Sequence, residues 1–190
     1  MYLKDLTLLL EYTINLYYFR MKIDVTFFVC DYLTRVNLSD TLSLKIHASI
    51  DYLYKNKIRI YYVEDKNELG IILYKERIGV GRFTTKNPRI PCLHIQDLSI
   101  FIEDKHTKKG LARLMICAFV IETLIHKKMH IDRKLFIDTD ASDGFWDAIG
   151  MKPNKNEHNI HSSASGYEKV FKFSNLSEWA FGYVVEKINY

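Results

Sequence analysis

The feature that most constrains this chain is a change of hydrophobic period that ends in a strand–helix–strand run between residues 93 and 139. Residues 93–102 read as a strand. Leu111, Leu114, Met115, Ala118, Ile121 and Ile125 then recur at the spacing of one helix face. Residues 134–139 read as a short buried strand. Two strands joined through a helix are expected to lie parallel in one sheet, with a right-handed crossover.

Upstream of that run the pattern is different. Residues 58–63, 70–74 and 78–84 are rich in β-branched and aromatic side chains and are separated by short polar turns. This predicts an antiparallel meander. Residues 22–29 read as a first strand, because Ile23, Val25 and Phe27 alternate with polar positions. Ser39-Asp40 reads as a helix start, with helical spacing over 42–55. Residues 142–149 predict a short helix ended by Gly150, residues 167–173 a last strand, and residues 154–166 a polar loop. The expected fold class is α+β, an α/β/α sandwich on a mixed, mostly antiparallel twisted sheet. The expected organisation is a helical extension over 1–20, a domain over 21–175, and a C-terminal helix over 176–190 packed on it.

Composition narrows the class. The chain has 190 residues, 48% of them hydrophobic, which favours one folded domain over disorder. A net charge of +4 is too small to argue for nucleic acid unless it is focused. Cys30, Cys92 and Cys117 form no disulfide framework and point to a reducing, cytoplasmic setting. Charges at Lys4, Asp5, Glu11, Arg20 and Lys22 interrupt the apolar N-terminus. No uncharged run approaches the roughly 20 residues of a membrane span. His158 and His161 have no carboxylate or Cys partner at ligand spacing, so no metal is expected.

Residues 100–113, IFIEDKHTKKGLAR, hold the chemistry. A strand ends, a basic loop follows, and a helix opens at Gly110. A helix N-terminus offers unpaired N–H groups and a favourable dipole to an anion. Lys108 and Lys109 add charge, Gly110 has no Cβ to keep a phosphate away, and Thr107 could cap the helix. The competing reading is an ordinary capped helix whose lysines are simply solvated.

The same residues resemble motif A of the GNAT superfamily of N-acetyltransferases, where Gln or Arg is followed by x-x-Gly-x-Gly/Ala. Here the segment is Thr107-Lys108-Lys109-Gly110-Leu111-Ala112, with Thr in place of Gln or Arg. Downstream, Phe145-Trp146-Asp147-Ala148-Ile149-Gly150-Met151 resembles that family's Phe-Tyr-x-x-x-Gly-Phe motif. The resemblance spans about residues 57–173. It implies an acyl-CoA N-acyltransferase-like fold with a parallel strand pair splayed at the cofactor site, and acetyl-CoA as co-substrate. It places the pantetheine arm along 98–102, at Leu98, Ile100, Phe101 and Ile102. The diphosphate falls at Thr107, Lys108, Lys109, Gly110, Leu111 and Ala112, with Phe145 and Trp146 nearby.

The reaction implied is direct transfer of acetyl to a primary amine in a ternary complex. The acceptor would be a small amine, a polyamine, or a protein lysine or N-terminal amine. Such a transfer uses a base to free the amine and a donor for the departing thiolate. Asp97 and His94 are rival bases. Trp146 stands where the family's Tyr donates, and an indole N–H is no useful acid near neutral pH; Tyr167 is the alternative. A module that binds coenzyme A without turnover is the competing class. A nucleic-acid binder using residues 55–59 and 105–109 is a third reading, against which the modest charge weighs. The chain is read as a monomer or homodimer.

Overall fold

The meander forms as the β-branched and aromatic runs between polar turns predict. In the computed structural model, which describes residues 21–66, 68–76, 78–86, 98–132, 134–137, 145–146, 149, 152–153 and 169–188, strands β2 (Ile58–Glu64), β3 (Glu68–Lys75) and β4 (Ile78–Lys86) pair antiparallel. β1 (Met21–Asp24) joins β2 on one side, and β5 (Leu98–Ile102) joins β4 on the other. A second sheet runs β6 (Lys134–Ile137), β8 (Lys169–Lys172), β7 (Lys152–Pro153), again antiparallel. The fold is therefore mixed α+β, and every strand pair among the described residues is antiparallel.

The strand expected over 22–29 is corrected. It stops at Asp24, and helix α1 (Thr26–Arg35) begins at once. Asp24 Oδ1 accepts both the Thr26 backbone N–H at 3.0 Å and the Thr26 hydroxyl at 2.6 Å, which turns the chain. The apparent alternation was misleading, since Ile23 is 40% and Phe27 77% exposed. What is buried is the helical set Val25, Val29, Cys30 and Leu33. Helix α2 (Asp40–Lys55) starts after Ser39 as expected.

Helix α3 (Leu111–Ile125) is buried almost all round, with Ile116, Cys117, Phe119 and Val120 inaccessible beside the expected face. It lies against the first sheet on the side of Gly81, where a Cβ would come 3.4 Å from Met115 Sδ. The opposite face of that sheet carries a separate small cluster of Val63, Ile72 and Tyr74. The C-terminal helix is also corrected. It is α4 (Phe173–Phe181), not 176–190, and it ends because Gly182 adopts φ +80°. The chain beyond stays docked without helix: Val185 N–H donates to Ser177 Oγ at 2.8 Å, and Val185 and Ile188 are buried. Phe173, Leu176, Ala180 and Phe181 join the main core.

β5 and β6 lie beside one another, yet share no ladder among the described residues. β5 pairs with β4, and β6 with β8. Register slips between Leu73 and Tyr74 opposite Val80, and Glu103 N–H donates to Val80 O at 2.9 Å, fastening the exit of β5.

Candidate anion site at the start of α3

A single turn of 3-10 helix, Asp104–His106, follows β5. Thr107 completes it, donating through its hydroxyl to Asp104 O at 2.8 Å and through its N–H at 3.1 Å. Thr107 thus closes this turn and is not the cap of α3, which corrects that expectation. Two left-handed residues separate them: Lys108 at φ +58° and Gly110 at φ +76°. Gly110 is the N-cap, and no side chain caps the helix. The first-turn N–H groups therefore lack intrahelical partners. Thr107, Lys108, Lys109 and Gly110 are exposed.

Gly110 has a structural duty the sequence did not reveal. A Cβ there would lie 2.0 Å from Ser49 Oγ and 3.2 Å from Ser49 Cβ. The missing side chain makes room for α2. Ser49 is 5% exposed and donates its hydroxyl to Lys45 O at 2.8 Å. α2 also places Tyr52 over the loop. Its hydroxyl is 2.9 Å from His106 Nδ1, and Lys109 Nζ stands 5.8 Å from its ring centroid. Glu103 Oε1 takes Lys105 Nζ at 2.7 Å.

The other expected contacts divide by burial. Ile100 and Ile102 pack against the core, whereas Phe101, on the other face of β5, is 40% exposed. Leu111 is 1% exposed, so only its backbone is available, and Ala112 is half-buried. Trp146 is 1% exposed and belongs to the core. Phe145 is half-buried and bridges Trp146 at 4.9 Å to Trp179 of α4 at 5.9 Å between ring centroids. Arg113, in the first turn of α3, lies 3.8 Å over the Trp179 ring and donates to Trp179 O. That guanidinium serves the C-terminal helix. Asp97, His94 and Tyr167 lie outside the described residues, as do residues 1–20, most of the segment 138–151, and Cys92. The side chain of Leu98 is likewise not described. Cys30 and Cys117 are free and buried. No helix among the described residues is long and apolar enough to cross a membrane.

No protein-family model matches the chain, and no curated protein sequence matches it. Solved structures do. A GNAT-family acetyltransferase from Staphylococcus aureus is 5% identical with TM-score 0.40, covering 80% of this chain and 98% of its own. The spermidine/spermine N-acetyltransferase from Vibrio cholerae is 12% identical with TM-score 0.42, covering 82% and 94%. The ribosomal-protein-S18-alanine N-acetyltransferase from Escherichia coli is 15% identical with TM-score 0.36, covering 71% and 87%. Likenesses at this level carry no residue-by-residue correspondence.

Proposed function

We propose that the chain is an acetyl-CoA-dependent N-acetyltransferase acting on a primary amine. The observation that carries this reading is the junction itself. Among the described residues, β5 shares no ladder with the neighbouring β6, and it runs through an exposed basic loop into a helix N-terminus without a side-chain cap. An unladdered strand edge suits an amide-bearing arm, and free first-turn N–H groups suit a diphosphate. The residues present fit such a ligand. The backbone of Leu98, Ile100 and Ile102 would hold the arm. The N–H groups of Gly110, Leu111 and Ala112, with the ammonium groups of Lys108 and Lys109, would hold the phosphates.

Acetyl-CoA supplies an activated acyl carbon joined to a thiolate leaving group. The chain's task is to deliver an uncharged amine to that carbon and to accept its proton as the C–N bond forms and the C–S bond breaks. Asp97 or His94, on the approach to β5, is the proposed acceptor of that proton. Tyr167 is the proposed donor to sulfur, and without it a thiol of pKa about 8.5 still leaves as the anion. Small amines, polyamines and protein amines are the acceptor classes.

One observation favours a second reading, a coenzyme A-binding module without turnover. Trp146 stands where the resembled motif has tyrosine and is 1% exposed, and an indole N–H is no useful acid. Calorimetric titration with coenzyme A tests the binding common to both readings. Thiol release from acetyl-CoA with a panel of amines then separates them. A chain that binds no coenzyme A overturns both.

A further inference from the structure

The imidazole of His106 is 4% exposed and stands between two groups that it meets unequally. Nδ1 is 2.9 Å from the Tyr52 hydroxyl, which belongs to α2. Nε2 faces Glu103 Oε2 at 3.7 Å, beyond hydrogen-bond reach. Both of these atoms are buried and lack a hydrogen-bond partner among the described residues. Glu103 is fastened to β4 through Val80, and Tyr52 sits one turn along α2 from Ser49, which fills the Cβ position of Gly110. His106 therefore joins three parts of the molecule at the base of the basic loop.

A neutral imidazole has one N–H. With the proton on Nε2, the Tyr52 hydroxyl donates to Nδ1, and Nε2–H points at the Glu103 carboxylate across the gap. A second proton changes both contacts. Nδ1–H then donates to the Tyr52 oxygen, which frees the phenolic hydrogen to point elsewhere, and Nε2–H faces Glu103 as a charged donor. The charged groups around the ring are Glu103 and Lys105 on the loop and Lys75 at the end of β3, with the Tyr52 hydroxyl presented by α2. Burial, Lys105 and Lys75 hold the imidazole below its ordinary value, and Glu103 opposes them.

We propose that His106 is a positioning residue with two settings, whose protonation reverses the Tyr52 hydroxyl, draws in Glu103 and so resets the backbone of the loop from Thr107 to Gly110. The effect on ligand affinity rests on the coenzyme A reading above; the two settings themselves do not.

The test is a proton–nitrogen NMR titration of the full chain from pH 8 to pH 5, without ligand. In the wild type, the amides of Thr107, Lys108 and Gly110 shift with the same midpoint as the His106 ring, on the acid side of an ordinary imidazole. Tyr52→Phe keeps the ring contact but removes the hydroxyl. It moves that midpoint and reduces the amide shifts by half or more. His106→Gln abolishes them. The proposal is overturned if these amides stay still while the wild-type ring titrates, if the ring does not titrate in this range, or if the amides titrate unchanged in both variants. Tyr52→Phe decides the matter should His106→Gln not fold. A second arm measures coenzyme A affinity at pH 7.5 and 5.5. The wild type gains at least threefold more on acidification than His106→Gln, and equal gains overturn the coupling to binding. Failure of coenzyme A to bind at either pH overturns the functional reading, and the NMR arm still decides the role of His106.

Discussion

The two ends of α3, about 22 Å apart at 1.5 Å per residue, handle charge in opposite ways. At the N-terminal end, Lys108 and Lys109 stand in the open beside an uncapped helix start. Just past the C-terminal end, Lys127 is exposed but its neighbour forms an interior ion pair. Lys128 Nζ meets Glu64 Oε1 at 2.8 Å, with both side chains less than a tenth exposed. Glu64 Oε2 also accepts the Tyr62 hydroxyl at 3.1 Å, and the Tyr62 ring stacks on His126. His126 Nε2 lies 3.4 Å from Glu122 Oε2. One end of the helix thus abuts a buried ion pair, while the two lysines before the other end are exposed and in no ion pair among the described residues.

The contrast can be broken most forcefully at the closed end. Lys128→Met removes the ammonium group that faces the buried Glu64 carboxylate and is expected to cost about 3 kcal/mol in denaturant unfolding. Lys128→Met combined with Glu64→Leu recovers at least half of that. A cost of under about 1 kcal/mol for the single variant, as for an exposed pair, would erase the distinction.

Gly110→Ala comes next. It places a Cβ 2.0 Å from Ser49 Oγ at a backbone φ of +76°. Overpacking and the left-handed conformation together cost about 2–4 kcal/mol. Adding Ser49→Ala removes the closest clash and leaves about 1–2 kcal/mol for the backbone alone. No rescue by Ser49→Ala would show that the glycine serves conformation only.

Glu122 gives a pH signature. Burial pushes its carboxyl up to about 7. The folded state therefore keeps a proton that the unfolded chain releases at ordinary carboxylate values. This group's contribution is intact at low pH and is lost as pH rises through about 7. Glu122→Gln should unfold with wild-type stability near pH 4.5 and exceed it at pH 8, by an amount on the order of 2 kcal/mol. His126, held low by burial, acts in the other direction and weakens the fold as pH drops below the ordinary imidazole value. An unchanged pH profile in Glu122→Gln would place the titration elsewhere.

The smallest effect on stability belongs to the open end. Lys108→Ala and Lys109→Ala should each change unfolding by less than about 0.5 kcal/mol. Each should weaken coenzyme A binding by about threefold, as expected for a single exposed charge contact. A large loss of stability with either would mean that this end, too, is built for packing.

Much of this architecture was legible in the residues. The meander announces itself through β-branched and aromatic runs between short polar turns, and the long helix through apolar residues that recur on one face. α1 is hidden because Ile23, Val25 and Phe27 mimic a strand, while the decision lies in two hydrogen bonds that Thr26 donates to Asp24. The end of the C-terminal helix was misjudged because buried Val185 and Ile188 continue an apolar pattern after Gly182 has stopped the helix. At the site, the exposed lysines and the helix start were readable. The meeting of Ser49 with Gly110 and of Tyr52 with His106 was not, since neither pair shares a sequence period. Glu122 and His126, one helical turn apart on a buried helix, are a pair visible in the sequence spacing alone.

The contact between Ser49 and Gly110 bears on how copies of this chain would diverge. Selection has a reason to keep that glycine that is independent of any ligand, because α2 cannot sit where it does otherwise. A descendant that had abandoned its ligand would still carry the glycine. Lys108 and Lys109, which hold nothing together, would drift first. Among relatives, retention of the two lysines would support the proposed ligand, and retention of the glycine would report only the inherited shape.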